Sequence, residues 1–264
     1  MKKFSLFLLL LFLIFNFFGC SSKSINEPVQ NSKTQEVSIE ADDDEFSDFA
    51  DEFEVKEIYD PFRSYNRFMT GFNDGAYEYV LKPVAKGYKV VLHEEIRISV
   101  SNFFHNIYFP VRFANNLLQV KFCNASEEAA RFIVNSTVGI LGLFDPAKSW
   151  YGLDKHEEDF GQTLGFYGVG SGPHIVLPLL GPSNLRDLVG LYPDTFLSPI
   201  NIDESNPWTI THSFESYFAA KSLEYVNYMS LNMDRYDKMK EDAVDLYPYL
   251  RDMYEQYRDN KIKE

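Results

Sequence analysis

The chain has 264 residues, 45% hydrophobic and 16% aromatic, with a formal net charge of −14. That composition supports one sizeable folded core and argues against global disorder. The acidic balance argues against nucleic acid as a partner, because the phosphate backbone would be repelled.

The N-terminus reads MKKFSLFLLLLFLIFNFFGCSSKS. Two lysines precede an apolar run that only Ser5 and Asn16 interrupt, which is the layout of a signal peptide over residues 1–19. The run falls short of the roughly 20 apolar residues that a spanning helix needs, so cleavage is expected rather than a permanent span. Gly19 is followed at once by Cys20, and this junction resembles a bacterial lipobox, although Phe17 stands where the common pattern has Leu. The resemblance implies that Cys20 becomes the first mature residue and is acylated. Ser21 rather than Asp after it resembles lipoproteins sorted to the outer membrane. The alternative is an ordinary signal peptide with an incidental cysteine. With Cys20 acylated, the fold is expected to stand without a disulfide, and Cys123 in VKFCNAS reads as a small buried hydrophobe.

Residues 20–58 are polar and then acidic, ending in IEADDDEFSDFADEFEVKEI. A flexible tether of roughly 40 residues would reach about 35 Å, enough to set the folded body apart from its anchor. Within it Phe46, Phe49, Ala50 and Phe53 recur at helical spacing, so a segment that folds on a partner is the sharper alternative.

From residue 59 the pattern is helical in pieces, with prolines marking starts and breaks. Asn124 with Glu127 predicts a capped start for ASEEAARFIVNSTV, with Ala129, Phe132 and Ile133 making one apolar face. Pro207 predicts the start of a second helix whose Phe214, Tyr217, Phe218, Tyr225, Tyr228 and Met229 form a core-facing stripe. Met239, Ala243, Leu246, Leu250, Met253 and Tyr257 continue the periodicity to the end, with a kink expected at Pro248. The expected division is a helical domain over 59–232 and a C-terminal helical segment over 233–264.

Catalytic signatures are absent from the pattern. His93, His105, His156, His174 and His212 are scattered, with no H-E-x-x-H pair and no zinc-type Cys/His spacing, so no metal and no other cofactor is expected. DKHEEDFGQ (154–162) gathers Asp154, Glu157, Glu158 and Asp159 around His156 and could mimic an acid/base cluster, but such runs are usually a solvated face. GFYGVGSGPHIVLPLLGPSNLRD (165–187) is not a dinucleotide loop, because its glycines precede the apolar run instead of following a strand into a helix. Ser171 sits one place too late for a nucleophile elbow and reads as a turn residue.

Five stretches carry a resemblance: DPFRSYNRFMTGFND (60–74), LKPVAKGY (81–88), SNFFHNIYFPVRFANNLLQ (101–119), RFIVNSTVGILGLFDPA (131–147) and EEDFGQTLGFYGVGSGPHIVLPLLGPSNLRD (157–187). Together, and in this order, they resemble the MlaA (VacJ) family of outer-membrane phospholipid-transport lipoproteins. The resemblance implies an all-α fold: a ring-shaped, membrane-embedded helical domain with a central amphipathic channel. It implies a non-enzymatic lipoprotein on the periplasmic side of the outer membrane, which removes mislocalised phospholipid from the outer leaflet. Phospholipid, an outer-membrane porin trimer and a soluble periplasmic lipid-binding carrier are the implied partners. A charged headgroup loses its water on entering hydrocarbon, so a polar path lowers its barrier. Arg67, Phe72, Gly168, Gly170, Gly172 and Arg186 are the candidate lipid-path or gating residues. The two arginines are chosen because guanidinium suits phosphate, with pairing to Asp60 or Asp187 as the structural alternative. The rival functions are a periplasmic lipid-modifying hydrolase built on the His156 cluster and a surface scaffold or adhesin.

Replacing the acylated thiol tests the anchor: Cys20→Ser is expected to lose lipid labelling and to leave the outer-membrane fraction.

Overall fold

A computed structural model describes residues 60–203 and 206–264, so the expected signal segment, the lipidated Cys20 and the acidic tether lie outside the described residues. The described chain is mostly helical, and its first three elements form one nearly continuous rod. Helix α1 (Arg63–Ala76) widens into a π-helical turn (Tyr77–Leu81) before α2 (Lys82–Val91). Pro83 explains the turn. It has no N–H to donate, and its ring would press on the carbonyl of residue 79, so the helix relaxes there instead of breaking.

Helix α3 (Glu94–Ile107) starts with two glutamates that complement its dipole, and α4 (Phe109–Leu118) starts with Pro110, where a missing N–H costs nothing. Helix α5 (Phe122–Thr137) begins two residues before the expected Asn124 cap and has no side-chain cap. Cys123 therefore lies on its first turn, exposed rather than buried. The short helices α6 (Pro146–Tyr151) and α7 (Phe160–Phe166) are capped by Asp145 and Asp159, which accept from the backbone N–H groups of Lys148 and Gln162.

The glycine-rich stretch corrects the all-α expectation. IVLPLL is not helical but belongs to a two-stranded antiparallel hairpin, β1 (His174–Leu177) and β2 (Gly181–Asn184), with His174 opposite Asn184 and Leu177 opposite Gly181. Asn184 then caps α8 (Leu185–Leu197) by accepting from the Asp187 N–H at 2.9 Å. The next helix, α9 (Phe214–Asp242), starts seven residues after the expected Pro207. A reciprocal Ser213/Ser216 capping box sets that start. Pro248 does not kink it. The helix ends at Asp242, and Pro248 falls in the first turn of α10 (Leu246–Lys263), where proline is tolerated.

Packing runs from neighbour to neighbour. Helix α2 lies on α9, α9 on α3, α3 on α4 and α5, and α4 on α7; α7 meets α8 and α10, and α10 returns to α1 and β2. Among the described residues an aliphatic-aromatic core cluster is small, with Tyr77, Ala85 and Met233 surrounded by Leu81, Met229 and Tyr236.

Elsewhere the polarity of the helices is inverted. The largest fully buried side chains are Asn66, Asn115, Asn116, Asn184, Asn227, Gln119 and Glu128. Helix α5 turns Glu128, Arg131 and Asn135 inward. Its apolar face is turned outward: Ile133 is exposed, and Ala129 and Phe132 are only half-buried. The same holds for α9, where Phe214, Phe218 and Tyr228 stand exposed while Asn227 and Ser230 are buried.

Asn66 shows what the buried amides do. Its Nδ2 donates to the His174 carbonyl at 2.9 Å and to the Tyr247 hydroxyl at 3.1 Å, while its Oδ1 accepts from the Val176 N–H at 2.9 Å. Two turns further along α1, Asn73 Nδ2 donates to the Leu177 carbonyl at 2.9 Å and its Oδ1 accepts from the Leu179 N–H at 2.7 Å. The pair supplies a side-chain substitute for a third strand along β1. Asn66→Ala is expected to destabilise the protein by about 2–3 kcal/mol, since it strands buried backbone groups. Hydrogen exchange should accelerate first at the Val176 amide, and an unchanged rate there would contradict this role.

Candidate functional site

The candidate site is the polar interior around the hairpin, α7, α8 and α10. Helix α10 inserts Arg258, whose guanidinium donates to both carboxylate oxygens of Asp159 and, at 2.8 Å, to Asp187 Oδ1. Burial works against that charge, but the hydrogen bonds the guanidinium donates to Asp159 and Asp187, with their negative charges, outweigh it and raise the Arg258 pKa. Burial likewise disfavours the charged Asp187 carboxyl, and bonds from Arg258, Tyr254 and Arg186 overcome it and lower its pKa. Tyr254 donates to Asp187 at 2.7 Å, and Glu255 faces His174 Nδ1 at 3.0 Å.

A second network joins α4, α5, α7 and α8. Arg112 Nε donates to Glu128 at 2.8 Å, and the other Glu128 oxygen accepts from the His156 N–H at 2.8 Å. Gln119 and Lys121 both hold Glu158, at 2.8 and 2.7 Å. Asn115 donates to Asp194 at 2.8 Å and accepts from the Thr163 hydroxyl at 2.9 Å. Burial pushes the Asp194 carboxyl up to about 6, against the Phe160 N–H and Asn115 bonds that favour its ionised form.

These contacts correct the reading of residues 154–162 as a solvated face. Asp154 and Glu157 are exposed, but Glu158 is buried and Asp159 is clamped by Arg258. His156 Nε2 lies 2.9 Å from Glu127. Among the described residues no group of three or more His, Cys, Asp or Glu side chains is placed to hold a metal ion.

The predicted site residues fall in different settings. Arg67 is exposed, pairs with Asp245 rather than Asp60, and lies over the Tyr247 ring at 5.9 Å. Asp60 instead accepts from Tyr247 and lies 3.7 Å from Arg251. Phe72 stands exposed on α1. Arg186 is buried, with Nε on Asp187 at 3.0 Å and Nη2 without a hydrogen-bond partner.

The glycines separate clearly. Gly168 and Gly172 have positive φ (85° and 68°), whereas Gly170 does not, and a Cβ on Gly170 would meet open space. The fold therefore does not require bare backbone at Gly170, and the demand for it lies elsewhere. A Cβ on Gly190 would sit 2.5 Å from the Gly161 nitrogen, so these two let α7 and α8 cross closely. Sequence reading missed that pair, as it missed the Asn66/Asn73 spacing of seven. Both signals were present in the sequence but meant nothing before the partner elements were placed.

Comparison with known proteins identifies the scaffold. The sequence model described as "MlaA lipoprotein" matches residues 58–261. An uncharacterised Rickettsia typhi protein is 40% identical over 132 residues, covering 50% of this chain and 52% of that protein. The chain thus spans about half the length of that relative. The intermembrane phospholipid transport system lipoprotein MlaA of Haemophilus influenzae is 28% identical over 214 residues, 80% of this chain and 82% of that protein. A solved structure reported as the structural basis for maintenance of bacterial outer membrane lipid asymmetry aligns at TM-score 0.67 and 28% identity. It covers 78% of this chain and 100% of its own.

The described residues form a mostly helical body with a polar core and many large apolar side chains exposed. The chain belongs to the MlaA lipoprotein family.

Gly172→Ala is expected to cost at least about 1 kcal/mol, because its left-handed backbone disfavours a Cβ. Gly170→Ala should stay within about 0.5 kcal/mol of the parent. Thermal melting of the two variants separates the positions, and equal losses would contradict the assignment.

Proposed function

We propose that the chain is an outer-membrane lipoprotein, anchored through Cys20, that takes mislocalised phospholipid from the outer leaflet and passes it toward a soluble periplasmic carrier. The observation that carries this reading is the inverted polarity of a family scaffold: amides and ion pairs buried, large apolar side chains outward. Such a body suits a hydrocarbon surround, with a polar interior to accompany a headgroup whose dehydration would otherwise be costly. No described helix is long and apolar enough to cross a membrane, so the body is proposed to lie within one leaflet.

A ring around a central amphipathic channel is supported by the succession of helix contacts, which leads from α1 through α2, α9, α3, α4, α7 and α10 back to α1. In this reading residues 1–19 are the cleaved signal, 20–58 the tether, 59–232 most of the ring and 233–264 the segment that closes it. A porin trimer would hold the ring in the outer membrane. Phe72 and the Gly168–Gly172 turn would border the lipid path. Arg67, exposed and only partly neutralised by Asp245, is the guanidinium proposed to meet phosphate. Arg186, buried against Asp187, is assigned to hold α8.

No step here makes or breaks a covalent bond, so the protein is proposed not to be an enzyme. Deleting the gene should raise phospholipid in the outer leaflet, and the full-length chain should restore asymmetry. Unchanged outer-leaflet lipid after deletion would overturn the proposal, and hydrolysis products from labelled phospholipid would favour the hydrolase instead.

A further inference from the structure

Among the described residues, Val120, Ile140, Leu141 and Leu179 take positive φ, between 53° and 63°. Turns in water give such positions to Gly, Asn or Asp, whose side chains tolerate or hydrogen-bond the left-handed backbone. Here all four are aliphatic, and all four are exposed. The choice is most pronounced where two fall in succession, in the loop 138–144, VGILGLF, which contains no polar side chain. Ile140, Leu141 and Phe144 are 58%, 66% and 56% exposed.

The surrounding structure enforces this conformation. The Leu141 N–H donates to the Ser136 carbonyl at 3.1 Å, Gly142 N–H to Asn135 at 2.8 Å and Phe144 N–H to Gly139 at 2.9 Å. From α3, Asn106 Nδ2 donates to Ser136 Oγ at 2.9 Å and to the Leu141 carbonyl at 3.4 Å. Gly142 lies so close to Asn106 that a Cβ would meet its side chain at 2.4 Å. The first charge after the loop, Asp145, is turned inward to Arg131 at 2.7 Å and Asn135 at 3.0 Å. These bonds tie the loop to α3 and α5 and to itself, and the side chains it exposes are hydrocarbon. On α6, just beyond it, Trp150 and Tyr151 are exposed beside Lys148, residue types that settle at headgroup level.

A protein partner would need hydrogen-bonding or charged groups to set its register, and the loop offers none. Acyl chains need none. The geometry points to loop 138–144 as an element that enters the acyl layer of a phospholipid leaflet, held rigid by Asn106, Arg131, Asn135 and Asp145. This inference rests on the membrane reading above and adds which part of the surface makes the contact.

Photo-crosslinking from p-benzoylphenylalanine in the full acylated chain, in its own membrane, tests it. The probe replaces Leu141, or Phe144 should the Leu141 variant fold poorly. Phe218, exposed on α9, and Glu241, an exposed polar site, serve as comparisons. Phospholipid adducts through the acyl chain are expected from the loop and not from Glu241. A protein adduct, or no adduct, from the loop while Phe218 yields lipid would overturn the loop assignment and leave the membrane reading standing. Lipid adducts from Glu241 as strong as those from the loop would also overturn it. Absence of lipid adducts at every position would sink both.

Discussion

Side-chain amides buried against backbone groups are the constraint on which the rest of this structure depends. Asn66 alone bridges α1, β1 and α10, and Asn115 ties α4 to α7 and α8. A buried amide that is only half satisfied costs more than an apolar replacement would, so such networks hold only when each member finds its partner. That requirement fixes the relative rotation of the helices more strictly than greasy packing does, because a small slip would strand several polar groups at once. The small aliphatic-aromatic cluster around Tyr77 and Met233 could not do this by itself.

The same constraint explains the exterior. With the polar faces inward, Phe68, Phe218, Leu180 and many other large apolar residues have nowhere to go but out. In water each such side chain forgoes about 1.5–3 kcal/mol of possible burial, so an exterior of this kind calls for an apolar surround. The proposed leaflet location supplies it.

Helix α10 has a larger part than its position at the end of the chain implies. It carries Tyr247 to Asp60 and Asn66, Glu255 to His174, and Arg258 to Asp159 and Asp187. One amphipathic segment thereby connects the beginning of α1, the hairpin and the α7–α8 pair. Charge is neutralised locally within it, which suits a low-dielectric interior where an unpaired ion would be strongly disfavoured.

The helical character and the family motifs were legible in the sequence, because they depend on local order along the chain, which composition and spacing record directly. Helix periodicity was also legible, but its direction was not. Periodicity identifies two faces, and assigning the apolar one to the core assumes water outside, an assumption that fails at Ile133, Phe214 and Phe218. The hairpin in place of a featureless apolar loop, the close approach of Gly161 to Gly190 and the burial of Glu158 were decided only by tertiary structure. Each depends on a partner distant in the chain: Asn66 and Asn73 for β1, α8 for α7, Gln119 and Lys121 for Glu158. Local sequence carries no record of which distant backbone will need a donor, and here those donors determine the fold.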